Sequence, residues 1–186
     1  MISTVLVELR GLAGVVSLVV CLGSACLGWV LVRRGARGRS ALRVLGVLAV
    51  LPALGLTLVP SGDPPALAFC AVDFSWPIPP SSVQAAEIAM LLPAVLLLSL
   101  TVHRPWLVLL GGFVLVLLIE LAQALVPVLG RSCDTDDIWL NTLGVVFGAA
   151  AAALIGVVRR RRTTAPGRAE DSDERSDAAE ESGART

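Results

Sequence analysis

Residues 106–126, WLVLLGGFVLVLLIELAQALV, decide the fold of this chain. An α-helix rises about 1.5 Å per residue, so about 20 apolar residues are needed to cross the roughly 30 Å hydrocarbon core of a bilayer. This stretch has that length and composition, and its polar interruptions are Glu120 and Gln123. Four other stretches meet the same criterion, so the predicted spans are 12–32, 42–59, 85–102, 106–126 and 138–158. The sequence therefore predicts an all-α, polytopic transmembrane helix bundle with five spans.

The composition also places the chain in a membrane. Of its 186 residues, 55% are hydrophobic and 16% are charged, and the mean hydropathy is +0.80. Because a soluble domain of this size could not cover its surface with so few charges, a soluble globule is excluded. The expected partner is the lipid bilayer. We expect no nucleic-acid partner, no cofactor and no bound metal, and the sequence does not define an oligomeric state.

The arginines determine the expected orientation. One group follows the first span, a single arginine lies between the third and fourth spans, and a last group follows the fifth span. These residues are Arg33, Arg34, Arg37, Arg39 and Arg43, then Arg104, then Arg159–Arg162. With an odd number of spans these groups lie on one side, which the positive-inside rule makes cytoplasmic. We therefore expect the N-terminus outside and the C-terminus in the cytoplasm. Tryptophans near the predicted boundaries fit an aromatic belt, at Trp29, Trp76, Trp106 and Trp139.

Two regions differ in composition. Residues 1–162 contain all the apolar stretches and are predicted to form the transmembrane domain. Residues 163–186 carry seven acidic side chains and three arginines, without aromatic residues. Such a segment cannot bury enough apolar surface to offset the loss of chain entropy, so we expect a disordered, charged cytoplasmic tail.

Polar side chains lie on matching faces of the fourth and fifth spans. Glu120 and Gln123 are about one helical turn apart, and the fifth span carries a stripe of polar and small residues at Asp137, Asn141, Gly144 and Gly148. The loop between these spans is short, so they should be antiparallel neighbours whose polar faces meet. A pair of glycines at this spacing lets helix backbones approach closely. Ionisable groups inside a span usually face protein or water, and they indicate a functional site.

Two interpretations of these residues stay open. In the structural one, Glu120 is protonated and hydrogen-bonds with Gln123 and Asn141 simply to join two helices. In the functional one, the charged loop before the fifth span forms the mouth of a pocket, with Arg131, Asp134, Asp136 and Asp137. The three aspartates could also bind a divalent cation, but the loop lacks the glycine and terminal glutamate of an EF-hand. Asp136 or Asp137 could equally cap the fifth helix, which we favour.

The cysteines fall into two classes. Cys70 and Cys133 lie outside the predicted spans, on the side expected to face an oxidising compartment, so a disulfide between them is possible. Cys21 and Cys26 lie within the first span, where packing is the expected role. The single histidine, His103, is expected at the cytoplasmic edge of the membrane.

The polar pattern resembles the signature of the VanZ-like family. In that family an E-x-x-Q motif precedes R-S-x-D-x-x-D-x-x-x-N-x-x-G-x-x-x-G, and the matching residues here are Glu120, Gln123, Arg131, Asp134, Asp137, Asn141, Gly144 and Gly148. The resemblance is strongest from about residue 109 to residue 153. In the third span Pro93 matches a second family segment, but Glu87 stands where asparagine is usual.

The resemblance implies a small multi-pass protein of the bacterial plasma membrane, in a family whose founding member is associated with low-level teicoplanin resistance. We expect an outward-facing pocket that binds a polar headgroup or cell-envelope component, such as a cell-wall precursor. Its expected lining is Glu120, Gln123, Arg131, Asp134, Asp137 and Asn141, with Arg131 contacting phosphate or carboxylate. The alternatives are an enzyme acting on a lipid-linked substrate, with Glu120 and Asp137 as acid and base, and an accessory subunit of another membrane protein. The sequence contains no evident nucleophile, so an enzymatic activity is left undecided.

Overall fold

The computed structural model describes residues 2–58, 70–72, 74, 81–129 and 133–164. Its helices are α1 (Ile2–Arg33), α2 (Gly35–Leu48), α3 (Val50–Leu58), α4 (Ser82–Ser99), α5 (Pro105–Leu125) and α6 (Thr135–Thr164). A 3-10 turn covers Pro127–Leu129, and two-residue strands lie at Cys70–Ala71 (β1) and Cys133–Asp134 (β2). The predicted all-α architecture is confirmed for this part of the chain.

Five helical segments among the described residues are long and apolar enough to cross a membrane. They are Leu12–Arg33, Gly35–Leu58, Ser82–Ser99, Pro105–Leu125 and Thr135–Arg161. Large apolar side chains lie exposed along these segments, such as Val19 at 62% and Leu118 at 55%, as expected for faces in contact with lipid. The prediction of five helices able to cross a membrane is confirmed for the described residues, while the side of the membrane on which each terminus lies stays a prediction.

The first connection is shorter than expected. The arginine-rich residues after the first span are predicted to form a loop, but α2 begins at Gly35, two residues after α1 ends. Gly35 has a φ of 67°, the left-handed conformation in which glycine commonly ends a helix. At Gly38 a Cβ would overlap the Leu31 carbonyl oxygen, so the turn also requires a close backbone approach. The later arginines of this group therefore lie on α2.

The second span is interrupted near Pro52. Helix α2 ends at Leu48 and α3 begins at Val50. Proline has no backbone N–H, and its ring clashes with the carbonyl four residues earlier, which here belongs to Leu48. Pro52 therefore accounts for the interruption between α2 and α3.

Helix α4 is central to the bundle. It packs against α1, α2, α3 and α5, and most of its residues between Ala89 and Ser99 are buried. It begins three residues earlier than predicted because Ser81 and Gln84 form a capping box, with the Ser81 hydroxyl accepting from the Gln84 N–H at 3.2 Å. The apolar core joins α4 to three other helices through Ala53, Leu91, Val95, Val116 and Val145.

Close contacts at glycines give the helix directions. Gly14 and Gly28 of α1 lie against Ser82 and Leu96 of α4, so these two helices run in the same direction. Gly112 of α5 lies against Val145 of α6, and the start of α6 lies beside Glu120, so α5 and α6 are antiparallel as expected.

The chain divides into two compact units, Met1–Ala153 and Leu154–Thr186. The first contains α1 to α5 and the part of α6 up to Ala153. The described part of the second, residues 154–164, is helical and carries Arg159, Arg160 and Arg161. Most of the tail predicted at 163–186 lies outside the described residues.

Candidate functional site

A cavity of about 680 Å³ lies within the first unit, between α1, α3, α4, α5 and α6. Five polar side chains of its α4–α5–α6 wall, which we call the polar side, are Glu87, Glu120, Gln123, Asp137 and Asn141. The same wall also carries the apolar residues Val83, Ala86, Ala89, Met90 and Pro93. We call its α1 and α3 wall the apolar side, which includes Ala13, Val16, Val20, Pro52, Ala53 and Leu56 and also the hydroxyl side chains of Ser17 and Thr57. All the acids and amides of the lining thus come from α4, α5 and α6, and none comes from α1 or α3, within helices long enough to cross a membrane.

Glu120 links α5 to the start of α6. Its side chain is only 4% exposed, and its Oε2 accepts a hydrogen bond of 3.2 Å from the backbone N–H of Asp134. Asp134 belongs to β2, which directly precedes α6. The signature glutamate thus contacts the backbone of the signature loop while also lining the cavity.

Gln123 links α5 to α3. Its Nε2 donates a 3.0 Å hydrogen bond to the Thr57 carbonyl oxygen. Thr57 lies in the last turn of α3, where carbonyl groups have no amide partner within the helix, so the contact satisfies a group that would otherwise be unpaired. This bond also fixes the orientation of the side-chain amide. The other amide atom, Oε1, is buried and has no hydrogen-bond partner among the described residues.

Asn141 faces the cavity from α6. It is 5% exposed, and its Oδ1 is also buried without a hydrogen-bond partner in the part of the chain that the structure describes. Asp137 lies one helical turn earlier and lines the same cavity. Four of the residues predicted for the site are therefore brought together: Glu120, Gln123, Asp137 and Asn141.

Asp134 has a different position from the one expected. Its Oδ1 accepts a 2.9 Å hydrogen bond from the backbone N–H of Asp136, and it is not among the residues lining the cavity. This geometry makes Asp134 the cap of α6, since an N-cap side chain accepts from the second residue of the helix. The expectation that Asp136 or Asp137 caps the helix is wrong. Both lie in its first turn, where carboxylates favour the positive end of the helix dipole.

The glycine stripe of α6 packs against α4, and not against α5 as expected. A Cβ at Gly144 would overlap the Ile88 carbonyl oxygen, and one at Gly148 would lie 2.7 Å from the Leu92 carbonyl oxygen. Helices α4 and α6 therefore approach backbone to backbone, in the same direction. The α5 contact is made instead by Val145, which lies against Gly112.

Glu87 is the polar residue that the predicted site omits. It lies on α4, next to the Ile88 backbone that Gly144 contacts, and it lines the cavity. The sequence could have indicated Glu87, because an ionisable residue within a predicted span indicates a functional site. The sequence did not show which helix face α4 presents to α6.

Two predicted site features involve residues that are described in part or not at all. Arg131 lies outside the described residues, so its expected contact with an anion stays a prediction. β1 and β2 pair in parallel with Cys70 and Cys133 as register partners, and their side chains are not described. The disulfide between them also stays a prediction. Among the described residues, no group of three His, Cys, Asp or Glu side chains is placed to hold a metal ion.

A residue of the loop before α4 lies beside the start of α6. The rings of Phe74 and Trp139 have centroids 5.2 Å apart and are inclined at 40°. Together with the β1–β2 pair, this contact joins the segment near residue 70 to the segment that carries the signature acids.

The fold and the cavity define a multi-pass membrane protein with polar groups buried between its helices. The comparison with protein-family models then gives the particular family: the VanZ/LLP1 model matches residues 47–156, more than half of the chain. The chain belongs to this family, as the motif predicts. The matched region contains the whole polar side of the cavity, whereas α1 precedes it. Searches among curated proteins and among solved structures found no match.

Proposed function

We propose that this VanZ-type protein binds the polar headgroup of a lipid-linked cell-envelope component in the cavity. The observation that supports the proposal is that one cavity has acids and amides on α4, α5 and α6 and a mainly apolar lining on α1 and α3. Ligand-binding pockets typically have volumes of about 300–1,000 Å³ and combine apolar lining with a few polar groups. The cavity of about 680 Å³ fits this description.

The apolar side suits the hydrocarbon part of such a ligand. Val16, Val20 and Leu56 line the cavity, yet they are 51%, 46% and 67% exposed. They therefore form a rim that lies within membrane-spanning helices, where the surroundings are lipid. A hydrocarbon chain at this rim would leave one apolar environment for another, while its headgroup would gain polar contacts.

The sidedness of the site is part of the proposal. The positive-inside rule places the arginines after α1 and before α5 in the cytoplasm, so Glu120 and Asn141 belong to the outer half of the membrane. A headgroup bound there belongs to the outer leaflet or to the envelope beyond it. Arg131, predicted next to this region, would contact a phosphate or carboxylate of the ligand.

The cavity can be closed without touching its polar side. Val16→Trp places a large side chain at the rim, and Val15→Trp is its matched control, because Val15 is 59% exposed and does not line the cavity. Each protein is purified in a mild detergent, and the lipid that it retains is measured by native mass spectrometry. We expect the unmodified chain and the control to retain lipid and Val16→Trp to lose it. Equal retention by both variants would contradict the proposal.

We further propose an effect on susceptibility to teicoplanin-type glycopeptides, supported by the family resemblance. The test is the minimum inhibitory concentration in a strain lacking the gene and complemented with each variant. We expect Val15→Trp to restore the original susceptibility and Val16→Trp not to restore it. No change on deletion would refute this part of the proposal.

An enzyme acting on a lipid-linked substrate is the second candidate. The observation in its favour is that Glu120 and Asp137 line one cavity, as an acid and base pair must. Glu120→Gln keeps a hydrogen-bond acceptor but cannot transfer a proton. Loss of the cellular phenotype with unchanged folding and lipid retention would favour catalysis, whereas retained function would leave binding as the activity.

The accessory-subunit interpretation has less support. The polar and glycine stripe of α6 is the natural contact surface for such a subunit, but Gly144 and Gly148 pack against α4 of the same chain. A partner subunit would therefore have to use another surface.

A further inference from the structure

We infer that the first half of α2 binds the headgroup of an anionic phospholipid, at a site separate from the cavity. Residues 33–58 contain five arginines and no acidic residue. Two of these arginines share one exposed face of α2 with a serine and two valines. We call this set the lipid stripe, and it consists of Arg39, Ser40, Arg43, Val44 and Val47.

The lipid stripe lies on the side of α2 that faces away from the protein. Residues three or four apart lie on one face of an α-helix, so the stripe forms one continuous surface from Arg39 to Val47. The buried residues of α2 lie on another face, at Gly38, Leu42 and Gly46. Every residue of the stripe is exposed, including Val44 at 57% and Val47 at 59%. The stripe therefore faces the surroundings of a segment that is apolar enough to cross a membrane.

The stripe changes from polar to apolar along α2. Arg39, Ser40 and Arg43 form its first part, and the two valines follow within the next turn. Exposed apolar side chains of a membrane-spanning helix contact lipid chains, so the arginines that precede them lie at the level of the lipid headgroups. A phospholipid has the same order, since its charged phosphate is followed by hydrocarbon. One lipid molecule can therefore contact both parts of the stripe.

The two arginines of the stripe are available to a ligand. Among the described residues, neither guanidinium makes a hydrogen bond, an ion pair or a ring contact. Arg33 differs, because its guanidinium lies 4.5 Å from the centre of the Trp29 ring. Arg39 and Arg43 are four residues apart, so both can donate hydrogen bonds to the oxygens of one phosphate. The Ser40 hydroxyl lies on the same face and can donate to the same phosphate.

The sign of the charge selects the class of lipid. Near the membrane surface each arginine strengthens the binding of anionic lipid by about fivefold. A zwitterionic lipid gains less, because its ammonium group is repelled by the arginines that attract its phosphate. The sequence offers no acid from Arg33 to Leu58 to neutralise the stripe. The expected ligand is therefore a phospholipid with a net negative charge.

The stripe is distinct from the cavity. None of its five residues lines the cavity, whose α1 lining extends from Ala13 to Val20. α2 follows the other end of α1, after Arg33. The part of α1 from Val20 to Arg33 rises about 20 Å, so the two sites lie at different depths in the membrane. The positive-inside rule makes the arginine end the cytoplasmic one, which assigns the expected lipid to the cytoplasmic leaflet.

Two probe lipids with identical acyl chains test the charge preference. Phosphatidylglycerol has a net negative charge, and phosphatidylethanolamine has a phosphate and an ammonium group. Binding of each lipid to the full chain in detergent is measured by native mass spectrometry. All proteins carry Val16→Trp, so that lipid in the cavity does not contribute. We expect this parent chain to bind phosphatidylglycerol at least about tenfold more tightly than phosphatidylethanolamine.

Two double variants test the position of the site. Arg39→Gln with Arg43→Gln removes both guanidinium groups of the stripe and should weaken binding of phosphatidylglycerol by about 30-fold. The matched control is Arg34→Gln with Arg37→Gln, which removes the same charge at the start of α2 but from another helix face. The control should bind within about threefold of the parent chain. All four arginines are exposed, so neither variant changes the packing of the helices.

The outcomes distinguish a site from a general attraction. A preference for phosphatidylglycerol that the control keeps and the stripe variant loses supports the inference. Equal binding of the two lipids by the parent chain overturns it. Equal weakening by both double variants also overturns it, because the attraction would then depend on total charge and not on the stripe. A preference that neither variant reduces would locate the lipid elsewhere, and it would overturn the inference as well.

Discussion

Replacing Gly144 by alanine should destabilise the protein by separating α6 from α4. In the native structure the added methyl group would overlap the Ile88 carbonyl oxygen and lie 3.0 Å from the Ile88 carbonyl carbon. Both atoms belong to the backbone of a helix, so neither can rotate away as the end of a side chain could. The two helices must therefore move apart along their contact.

The magnitude follows from two opposing effects. Overpacking a tightly packed site costs about 1–3 kcal/mol, and a rigid backbone neighbour places Gly144→Ala in the upper half of that range. Alanine in place of glycine within a helix stabilises by about 1 kcal/mol. The expected net loss is therefore about 1–2 kcal/mol. Asn141 lies one turn from Gly144 and Glu87 is adjacent to Ile88, so the same displacement should widen the cavity and weaken lipid retention.

The control is Gly111→Ala on α5, where a new Cβ would have no atom within 4 Å. Alanine has a higher helix propensity than glycine, and at this position its methyl group overlaps no other atom. The free energy of unfolding of Gly111→Ala should therefore exceed that of the original chain by up to about 1 kcal/mol. Both variants are unfolded by titrating sodium dodecyl sulfate into mixed micelles, and helix content is followed by circular dichroism. Equal stabilities for the two variants would refute the close α4–α6 contact, and with it the placement of Glu87 and Asn141 in one cavity.

Three further predictions concern the ends of the spans. Asp134→Ala should reduce the free energy of unfolding by about 1 kcal/mol through loss of the α6 cap, and Asp134→Ser should recover most of it, in the same titration. Cys70 and Cys133 should form a disulfide in protein purified from cells, so the denatured protein should bind two maleimide labels per molecule before reduction and four after reduction. Four labels before reduction would contradict the disulfide. A reporter active only outside the cytoplasm should be active when fused before α1 and inactive when fused after α6, and the opposite pattern would reverse the orientation.

The spans were predictable because a bilayer imposes one strong requirement, a length of apolar sequence, on every helix that crosses it. The ends of the helices were not predictable from hydropathy, because they depend on capping side chains and on a glycine turn. Ser81 with Gln84 starts α4 early, and the side chain of Asp134 starts α6 early. Gly35 turns the chain within two residues, so the arginine-rich segment that was expected to be a loop is mostly helix.

The site was predictable only in part, because periodicity assigns a residue to a helix face but does not identify the neighbouring helix. Asn141 and Gly144 were placed correctly on one stripe of α6. Their neighbour was expected to be α5, since α5 precedes α6 through a short loop. The stripe instead faces α4, which is why Glu87 joins the site and was omitted from the predicted lining. The residues of α1 that line the cavity were also not predictable, because nothing in the sequence pattern of α1 distinguishes Val16 from Val15.

The geometry divides the family signature into two kinds of residue. Asp134, Gly144 and Gly148 are used within the protein, by capping α6 and by allowing its approach to α4. Gln123 and Asn141 line the cavity, and the amide oxygen of each is buried without a hydrogen-bond partner among the described residues. A substitution of the first kind should change stability and binding together, since the cavity exists only while α4, α5 and α6 are correctly placed. A substitution of Asn141 should change binding with little loss of stability, because its side chain makes no hydrogen bond among the described residues, whereas a substitution of Gln123 also removes the bond to the Thr57 carbonyl oxygen. Comparing unfolding free energy with lipid affinity across both groups therefore distinguishes a binding site from a structural polar contact between helices, in which both groups would behave alike.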